Sequence, residues 1–296
     1  MKTASIIVCN FASIPEEIAS RYDIFALKST PYWPEGENIP GGNIYEKMRN
    51  ASQMGIKTFP KTSQPPMGTF KKAFEEGRRE GRHVICITIS SKISGTYNSA
   101  VQTKKLFSEE DQKRIHIIDS DSIDTAETLL GIKAAELSEK GEDPELIVKK
   151  IEALVPRTYF YGMTANPHQM EAGGRIGPVL AAILVQMQKI GLRPVLHMHE
   201  GTVKPAKLKM NAQDTAEALF KHFKDREGRY LEKGGRCRIG ISHADNMPEA
   251  KKLEKLFAEN YGEQARVEFI SLTGIFIGSH VGPGTLMCGL MEEPNE

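Results

Sequence analysis

The stretch "VICITISSKISGTYNSA", Val84 to Ala100, decides the fold. Val84–Ile89 is an almost continuous apolar run, typical of a strand in a parallel sheet that is covered on both faces. Helical spacing begins at Thr96, so the stretch is predicted to be a strand, a turn and a helix. Ligands of open α/β sheets bind beyond the carboxyl ends of the strands. We therefore expect a ligand near the hydroxyl-rich turn, whose candidate donors are Ser90, Ser91, Ser94 and Thr96.

Strands and helices alternate on either side of this stretch, which predicts a doubly wound α/β domain with a parallel sheet over residues 1–157. Beyond Arg157 the pattern changes, because Glu200-Gly201 reads as a hairpin turn between Leu192–His199 and Thr202–Met210. A second α/β domain with a mixed sheet is expected over 158–296. The other predicted strands are Ile6–Val8, Ile115–Ile118, Tyr159–Met163, Arg238–Ser242 and Arg266–Ser271. The predicted helices are Pro15–Tyr22 (capped by Ser13), Phe70–Arg79, Thr96–Phe107, Thr125–Glu139, Pro144–Leu154, Pro178–Met187, Ala212–Arg226 and Pro248–Glu259.

Composition excludes several classes of protein. The 296 residues are 40% hydrophobic and 26% charged, as in ordinary globular domains. With 39 basic and 38 acidic residues, the chain lacks the basic excess that nucleic-acid binding requires. No segment approaches the roughly 18 apolar residues of a membrane span, so we expect no stable membrane insertion. The scattered cysteines predict free thiols and a cytoplasmic location; they are Cys9, Cys86, Cys237 and Cys288.

The residues themselves favour two interpretations of the hydroxyl-rich turn. A helix N-terminus offers free N–H groups, and Gly95 permits close approach of a ligand to the backbone, so a small anion fits. Hydroxyls of Ser91, Ser94 and Thr96 add neutral donors. An ordinary Ser/Thr helix cap also explains them, and the turn alone favours the cap.

Several separate stretches, in order along the chain, resemble the DegV family of fatty-acid-binding proteins. They are "TSQP" at Thr62–Pro65, "SSKISGTYNSA" at Ser90–Ala100, "IDS" at Ile118–Ser120, "GGRIGP" at Gly173–Pro178 and "GSHVGPG" at Gly278–Gly284. The resemblance implies two α/β domains that hold one long-chain fatty acid, with no other cofactor. It also implies a non-catalytic subunit that presents the carboxylate to a separate fatty acid kinase, so that acyl-phosphate passes toward phospholipid synthesis.

Matching positions then suggest roles for individual residues. Thr62 and Ser63 would hydrogen-bond the carboxylate, with Ser94 and the Gly95 N–H opposite them. Two further roles come from the same match: Arg175 would lie near the head group and the phosphate it acquires, and His280 would close the site. An apolar helix, Pro178–Met187, and Met198 are candidates for the wall of an acyl tunnel, although each of them also fits an ordinary core.

The chain departs from the family pattern in two places. After the first strand, where the family usually has Asp-Ser, this chain has Cys9-Asn10-Phe11. Where an Asp-Gly turn is expected, it has Glu35-Gly36-Glu37.

Two rival classes of function stay open at this point. An enzyme acting on a small phosphorylated or acyl substrate would use Ser94 and His280, with Asp119 as a conceivable third member. Gly240-Ile241-Ser242-His243-Ala244 lacks the last glycine of a hydrolase elbow, and no Walker motif is present. A metal site is suggested only by His197 and His199, which alternate onto one face of a strand, and a solvated pair is the better interpretation.

Overall fold

The structure, a computed structural model, describes residues 2–28, 31–165, 167–174, 176–190, 192, 194–206, 212 and 214–293. Its strands form a four-stranded sheet in the order β2-β1-β3-β4 and a six-stranded sheet in the order β7-β6-β5-β10-β8-β9. The strands are β1 Ala4–Val8, β2 Ile24–Ala26, β3 His83–Thr88, β4 Ile115–Asp119, β5 Thr158–Met163, β6 Leu196–His199, β7 Thr202–Pro205, β8 Arg236–His243, β9 Ala265–Leu272 and β10 Leu286–Glu293.

The first sheet is parallel throughout and is covered on both faces, as predicted. The helices are α1 Glu16–Tyr22, α2 Ile44–Gln53, α3 Met67–Gly77, α4 Thr96–Lys104, α5 Glu109–Lys113, α6 Thr125–Glu139, α7 Pro144–Leu154, α8 Pro167–Ala172, α9 Pro178–Lys189, α10 Thr215–Glu232, α11 Met247–Tyr261 and α12 Ile275–Val281. Ile6, Ile85 and Ile87 pack in one core with α6 and α7, whereas Ile7 and Cys86 pack in another with α3 and α4, because successive strand residues face opposite ways.

The second sheet is mixed, which confirms the predicted class. β8 and β9 are parallel, and the other neighbours are antiparallel. Glu200 and Gly201 form the predicted hairpin turn with φ of 50° and 70°, the positive values that such a two-residue turn requires. Helices α10 and α11 pack on this sheet through aromatic residues such as Phe223 and Phe257, whose ring centroids are 4.8 Å apart.

Helix α6 lies between the two sheets and touches both. Its first turn rests on glycines of the second sheet: a Cβ on Gly289 would lie 2.7 Å from Ala126 Cα, and one on Gly240 would lie 2.9 Å from Thr125 Cβ. The four strands of the first sheet precede Arg157 and the six of the second follow it. Because α6 belongs to both layers, the division into units 1–157 and 158–296 stays a prediction.

Some local predictions were wrong. Ser13 does not cap the first helix: Pro15 takes the N-cap position, and the Ser13 hydroxyl bonds Asp124 instead. Helix α12 was not predicted: the glycine-rich stretch around His280 reads as a turn from its amino acids, but the helix continues to Val281. Strand β10 was not predicted. The first hairpin strand begins at Leu196 rather than Leu192, and the second ends at Pro205, while 207–210 lie outside the described residues.

Within the described ranges, no helix is long and apolar enough to cross a membrane.

Candidate functional site

A pocket of about 400 Å³ opens at the carboxyl ends of β1 and β3, and we call it the head-group pocket. Its lining residues are Phe11, Thr62, Ser63, Gln64, Ile93, Ser94 and Gly95. Four of the predicted site residues therefore line one pocket, although Thr62-Ser63 and Ser94-Gly95 are about 30 positions apart in sequence. None of the lining side chains is ionisable at neutral pH.

The Ser94 wall is the start of α4. The Ser94 hydroxyl lies 2.8 Å from Thr96 Oγ1 and accepts a hydrogen bond from the Thr96 N–H at 3.3 Å. Gly95 is the N-cap residue and has no side chain to bond the first N–H groups of the helix. The capping interpretation is thus partly right for Ser94, which nevertheless lines the pocket.

The other hydroxyls of this turn have structural roles or lie elsewhere. Ser90 is buried and donates to the Gly201 carbonyl at 2.8 Å, which holds the β6–β7 hairpin against the turn. Ser91 is exposed, and its backbone N–H donates to the Asp119 carboxylate. Only Ser94, of the four predicted donors, lines the pocket.

Thr62, on the other side of the pocket, contacts His280. Thr62 Oγ1 and His280 Nε2 are 2.8 Å apart, and the tautomer of the ring decides which atom donates. His280 is buried on α12 behind Thr62, and Gly173 packs so closely that a Cβ there would lie 3.3 Å from the ring carbon Cε1. His280 therefore reaches the site through Thr62 and is not among the lining residues, and its role in closing the site stays a prediction.

Gln64 joins the two walls. Its Nε2 donates to Ser99 Oγ on α4 at 3.2 Å. A Cβ on Gly95 would lie 2.7 Å from Gln64 Cδ, so a side chain at this position would have to displace the Gln64 amide. The segment stays non-helical until α3 begins at Met67, because Pro65 and Pro66 disfavour helical geometry in the residues before them.

Arg175 lies outside the described residues. Its place relative to the head-group pocket stays a prediction of the resemblance.

A second polar region next to the pocket was missed by the sequence analysis. We call it the buried carboxylate cluster; it comprises Cys9, Ser13, Asp124, Glu127 and Ser242. Glu127 accepts hydrogen bonds from the Cys9 N–H at 2.8 Å and from the Cys9 thiol at 3.1 Å. Asp124 accepts hydrogen bonds from the hydroxyls of Ser13 and Ser242. An acid from α6 thus contacts both the backbone and the thiol of Cys9, directly after β1.

Burial dominates the protonation of this cluster. It raises the pKa of Glu127 from 4.5 to about 8, against the lowering effect of the Cys9 hydrogen bonds. It likewise raises the pKa of Asp124 from 3.8 to about 6, although both serine hydroxyls lower it. The pKa of the Cys9 thiol is also raised, first by burial and then by Glu127. No local sequence signal distinguishes Glu127 from an acid on an exposed helix face.

The residues considered for an enzyme are not linked to one another. Ser94 bonds Thr96, His280 bonds Thr62, and Asp119 accepts from Ser91 and Asp121. Ser242 lies within strand β8 and not at a strand–helix elbow.

His197 and His199 lie on one face with their rings stacked at 5.8 Å, as predicted. In the part of the chain that the structure describes, no cluster of three or more potential metal ligands is found.

Comparison with known proteins agrees with this architecture. The family model described as "Uncharacterised protein, DegV family" matches residues 3–293. A "Fatty acid-binding protein" of Thermotoga maritima is 30% identical over 96% of each chain. A solved Thermotoga maritima structure, described as revealing a fatty acid binding function, has a TM-score of 0.77 and 25% identity and covers 98% of this chain and 99% of its own.

A stearic acid-binding protein from Eubacterium ventriosum has a TM-score of 0.81 at 22% identity, over 97% of this chain and 98% of its own, and shows the shared fold. The match over nearly the whole length, together with the two sheets and the order of the motifs, establishes that this chain belongs to the DegV family.

Proposed function

We propose that the chain binds a long-chain fatty acid and holds its carboxylate in the head-group pocket. The observation that carries this proposal is the meeting of Thr62, Ser63, Ser94 and Gly95 in one pocket without an acidic side chain. A desolvated carboxylate needs several donors, and hydroxyl and amide groups at a helix start provide them. The description of the two Thermotoga maritima relatives as fatty-acid-binding proteins supports the same ligand class.

The acyl chain would extend from Phe11 and Ile93 into the core between the sheets. These two residues belong to an apolar cluster that also contains Phe276, Ile277 and Met198. Burial of each methylene contributes about 0.8 kcal/mol, so a long chain offsets the cost of ordering it. The unit 1–157 would thus supply most of the head-group site and 158–296 most of the tail site.

Met198 fits this path better than α9 does. Leu180, Leu184 and Met187 of α9 pack in a separate small cluster with Met170 and Leu196. A tunnel wall formed by α9 stays a proposal that rests on the amino-acid pattern.

We place this binding in the cytoplasm and assign the chain a non-catalytic role, in which it presents the carboxylate to a separate kinase that forms acyl-phosphate. The four cysteines are free and buried, which suits a reducing compartment. Arg175 would act at the phosphorylation stage, because the attraction between an arginine and the head group strengthens most when a phosphate adds negative charge.

Denaturing mass spectrometry of the protein purified from cells tests the ligand. We expect one fatty acid per chain; repeated absence of lipid, with no uptake of added fatty acid, would refute the binding proposal.

The kinase step has its own test, with Arg175→Ala measured for fatty-acid binding and for kinase-coupled turnover. We expect turnover to fall much more than binding. Equal loss of both would make Arg175 a binding or folding residue. Esterase activity of the chain alone that Ser94→Ala abolishes would favour the enzyme alternative at Ser94 and His280.

A further inference from the structure

A cleft of about 810 Å³ lies at the far end of α6 from the head-group pocket. It is formed by one face each of α6 and α7, the start of β8 and the end of β10. Its lining residues are Lys133, Leu137, Lys140, Glu142, Lys150, Ala153, Leu154, Arg157, Gly234, Arg236 and Glu293. Helix α6 has 15 residues, and at 1.5 Å per residue it separates the two sites by about 20 Å.

The cleft concentrates positive charge in a chain whose net charge is only +1. Five basic and two acidic side chains line it. Both acids are already paired: Glu142 with Lys150 at 2.6 Å, and Glu293 with the buried Arg238 at 2.6 Å. Neither acid is therefore available to neutralise the remaining cations.

Three of the cations have no acidic partner within the described ranges: Lys133, Lys140 and Arg236. Arg157 is held at the rim by Glu292 at 2.9 Å. The negative end of a helix dipole favours cations near the ends of α6 and α7, which accounts for Lys140 and Arg157. It does not account for Lys133, two turns before the end of α6, or for Arg236 at the start of a strand.

The floor of the cleft is apolar. Leu137 and Leu154 are buried beneath it and Ala153 is exposed on its wall. The cleft has the volume of a small-molecule site, and its lining is more charged than most, with seven ionisable side chains above three apolar ones. Cations that surround such a concavity raise the local concentration of anions.

We infer that this cleft binds a phosphate-bearing anion with an apolar body, of the nucleoside diphosphate class, at a site separate from the head-group pocket. The phosphates contact Lys133, Lys140 and Arg236, and the apolar body lies on Leu137, Ala153 and Leu154. The inference does not depend on the proposed fatty-acid function.

Calorimetric titration at low ionic strength tests the inference, with ADP, pyrophosphate and inorganic phosphate as probes. ADP is expected to saturate one site and to bind more tightly than pyrophosphate, because only ADP covers the apolar floor. The variant Lys133→Gln/Lys140→Gln/Arg236→Gln should bind ADP at least tenfold more weakly.

A matched variant, Lys71→Gln/Arg79→Gln/Lys255→Gln, removes the same charge from exposed helix surfaces and should bind ADP as the parent does. Ala153→Asp adds a carboxylate to the cleft without removing a cation, and this variant should also bind ADP more weakly. Thermal unfolding of each variant checks that it is folded, and fatty-acid uptake by the cleft variants should equal that of the parent.

Absence of saturable ADP binding, or equal weakening in both triple variants, would overturn the inference. Phosphatidylglycerol and phosphatidylcholine vesicles distinguish a lipid phosphate from a soluble one. One further result would assign the cleft to a lipid surface and overturn the inference. In that case the protein cosediments only with phosphatidylglycerol vesicles, the cleft variant loses this cosedimentation, and ADP shows no saturable binding.

Discussion

The head-group pocket and the buried carboxylate cluster are neighbours at the end of β1, and they differ in whether the chain itself supplies an acidic side chain. Both present hydroxyl and amide donors. In the cluster the chain supplies the acids as well, and Asp124 and Glu127 are fully buried. In the pocket the donors of Thr62 and Ser94 face a cavity without an acidic lining side chain. In the cluster the donors are paired with acids of the chain itself, whereas under the proposed function the acid that meets the pocket donors is the carboxylate of the ligand.

The largest effect should come from removing donors from the pocket. The double variant Thr62→Val/Ser94→Ala should bind fatty acid more weakly by roughly 3–6 kcal/mol, because each hydrogen bond to a charged group contributes roughly 1.5–3 kcal/mol. Fatty-acid titration measures the loss. Ser91→Ala, on the same turn but exposed and outside the pocket, is the matched control. If the double variant binds as the parent does, the carboxylate is held elsewhere.

The cluster should respond to pH rather than to ligand. Glu127 has a pKa of about 8 in the folded chain against 4.5 ordinarily, so the folded chain keeps a proton that the unfolded chain releases. The free energy of unfolding should therefore fall as pH rises from about 4.5 toward 8, with a limiting slope near 1.4 kcal/mol per pH unit from this group.

Glu127→Gln cannot ionise and should flatten that slope, which urea unfolding at pH 5 to 9 would reveal. Glu127→Ala also removes the acceptor for Cys9 and should lose stability at every pH. An unchanged slope in the Gln variant would mean that Glu127 is ionised in the folded protein.

Because Asp124 carries a charge at high pH, removing a serine that donates to it should lower the free energy of unfolding. Asp124 has a pKa of about 6, so at pH 8 Ser242→Ala leaves a buried carboxylate with one donor fewer. A loss of roughly 1–3 kcal/mol in the free energy of unfolding is expected. Ser279→Ala removes a buried hydroxyl that donates to the neutral Phe276 carbonyl, and it should cost less. Equal losses would show that charge is not what distinguishes the cluster.

The smallest effect concerns the shape of the pocket. Gly95→Ala should push Gln64 from Ser99 and weaken fatty-acid binding by roughly 1 kcal/mol, less than a lost charged hydrogen bond. Gly68→Ala, on α3, meets nothing within 4 Å and should leave binding unchanged. Tighter binding by Gly95→Ala would show that Gln64 obstructs the pocket rather than shapes it.

Sequence patterns located the Ser94 side of the pocket, while the Thr62 side came only from the family resemblance and the cluster was not predicted at all. Ser94 and Gly95 follow a recognisable strand, so the end of the sheet could be located without coordinates. The exact bounds of α6 were also predicted, but charges in helices usually face water, and nothing in the pattern shows that Glu127 is enclosed by two sheets.

Strand β10 escaped prediction for a related reason. Gly289 interrupts the strand pattern, yet the glycine is needed because Ala126 of α6 packs directly against it. Likewise, α12 was taken for a turn because Gly278 and Gly282 bracket His280. A Cβ on Gly278 would lie 2.7 Å from the Tyr45 ring, a contact between distant segments that no local pattern contains.

The position of β10 has a consequence for synthesis. This strand is the last in sequence but lies inside its sheet, between β5 and β8. Until Glu293 has left the ribosome, β5 and β8 each expose an unpaired edge, and such edges invite pairing with other chains. The first sheet can close more than 170 residues earlier, at Asp119. A nascent chain therefore carries the Ser94 side of the head-group pocket long before the second sheet exists.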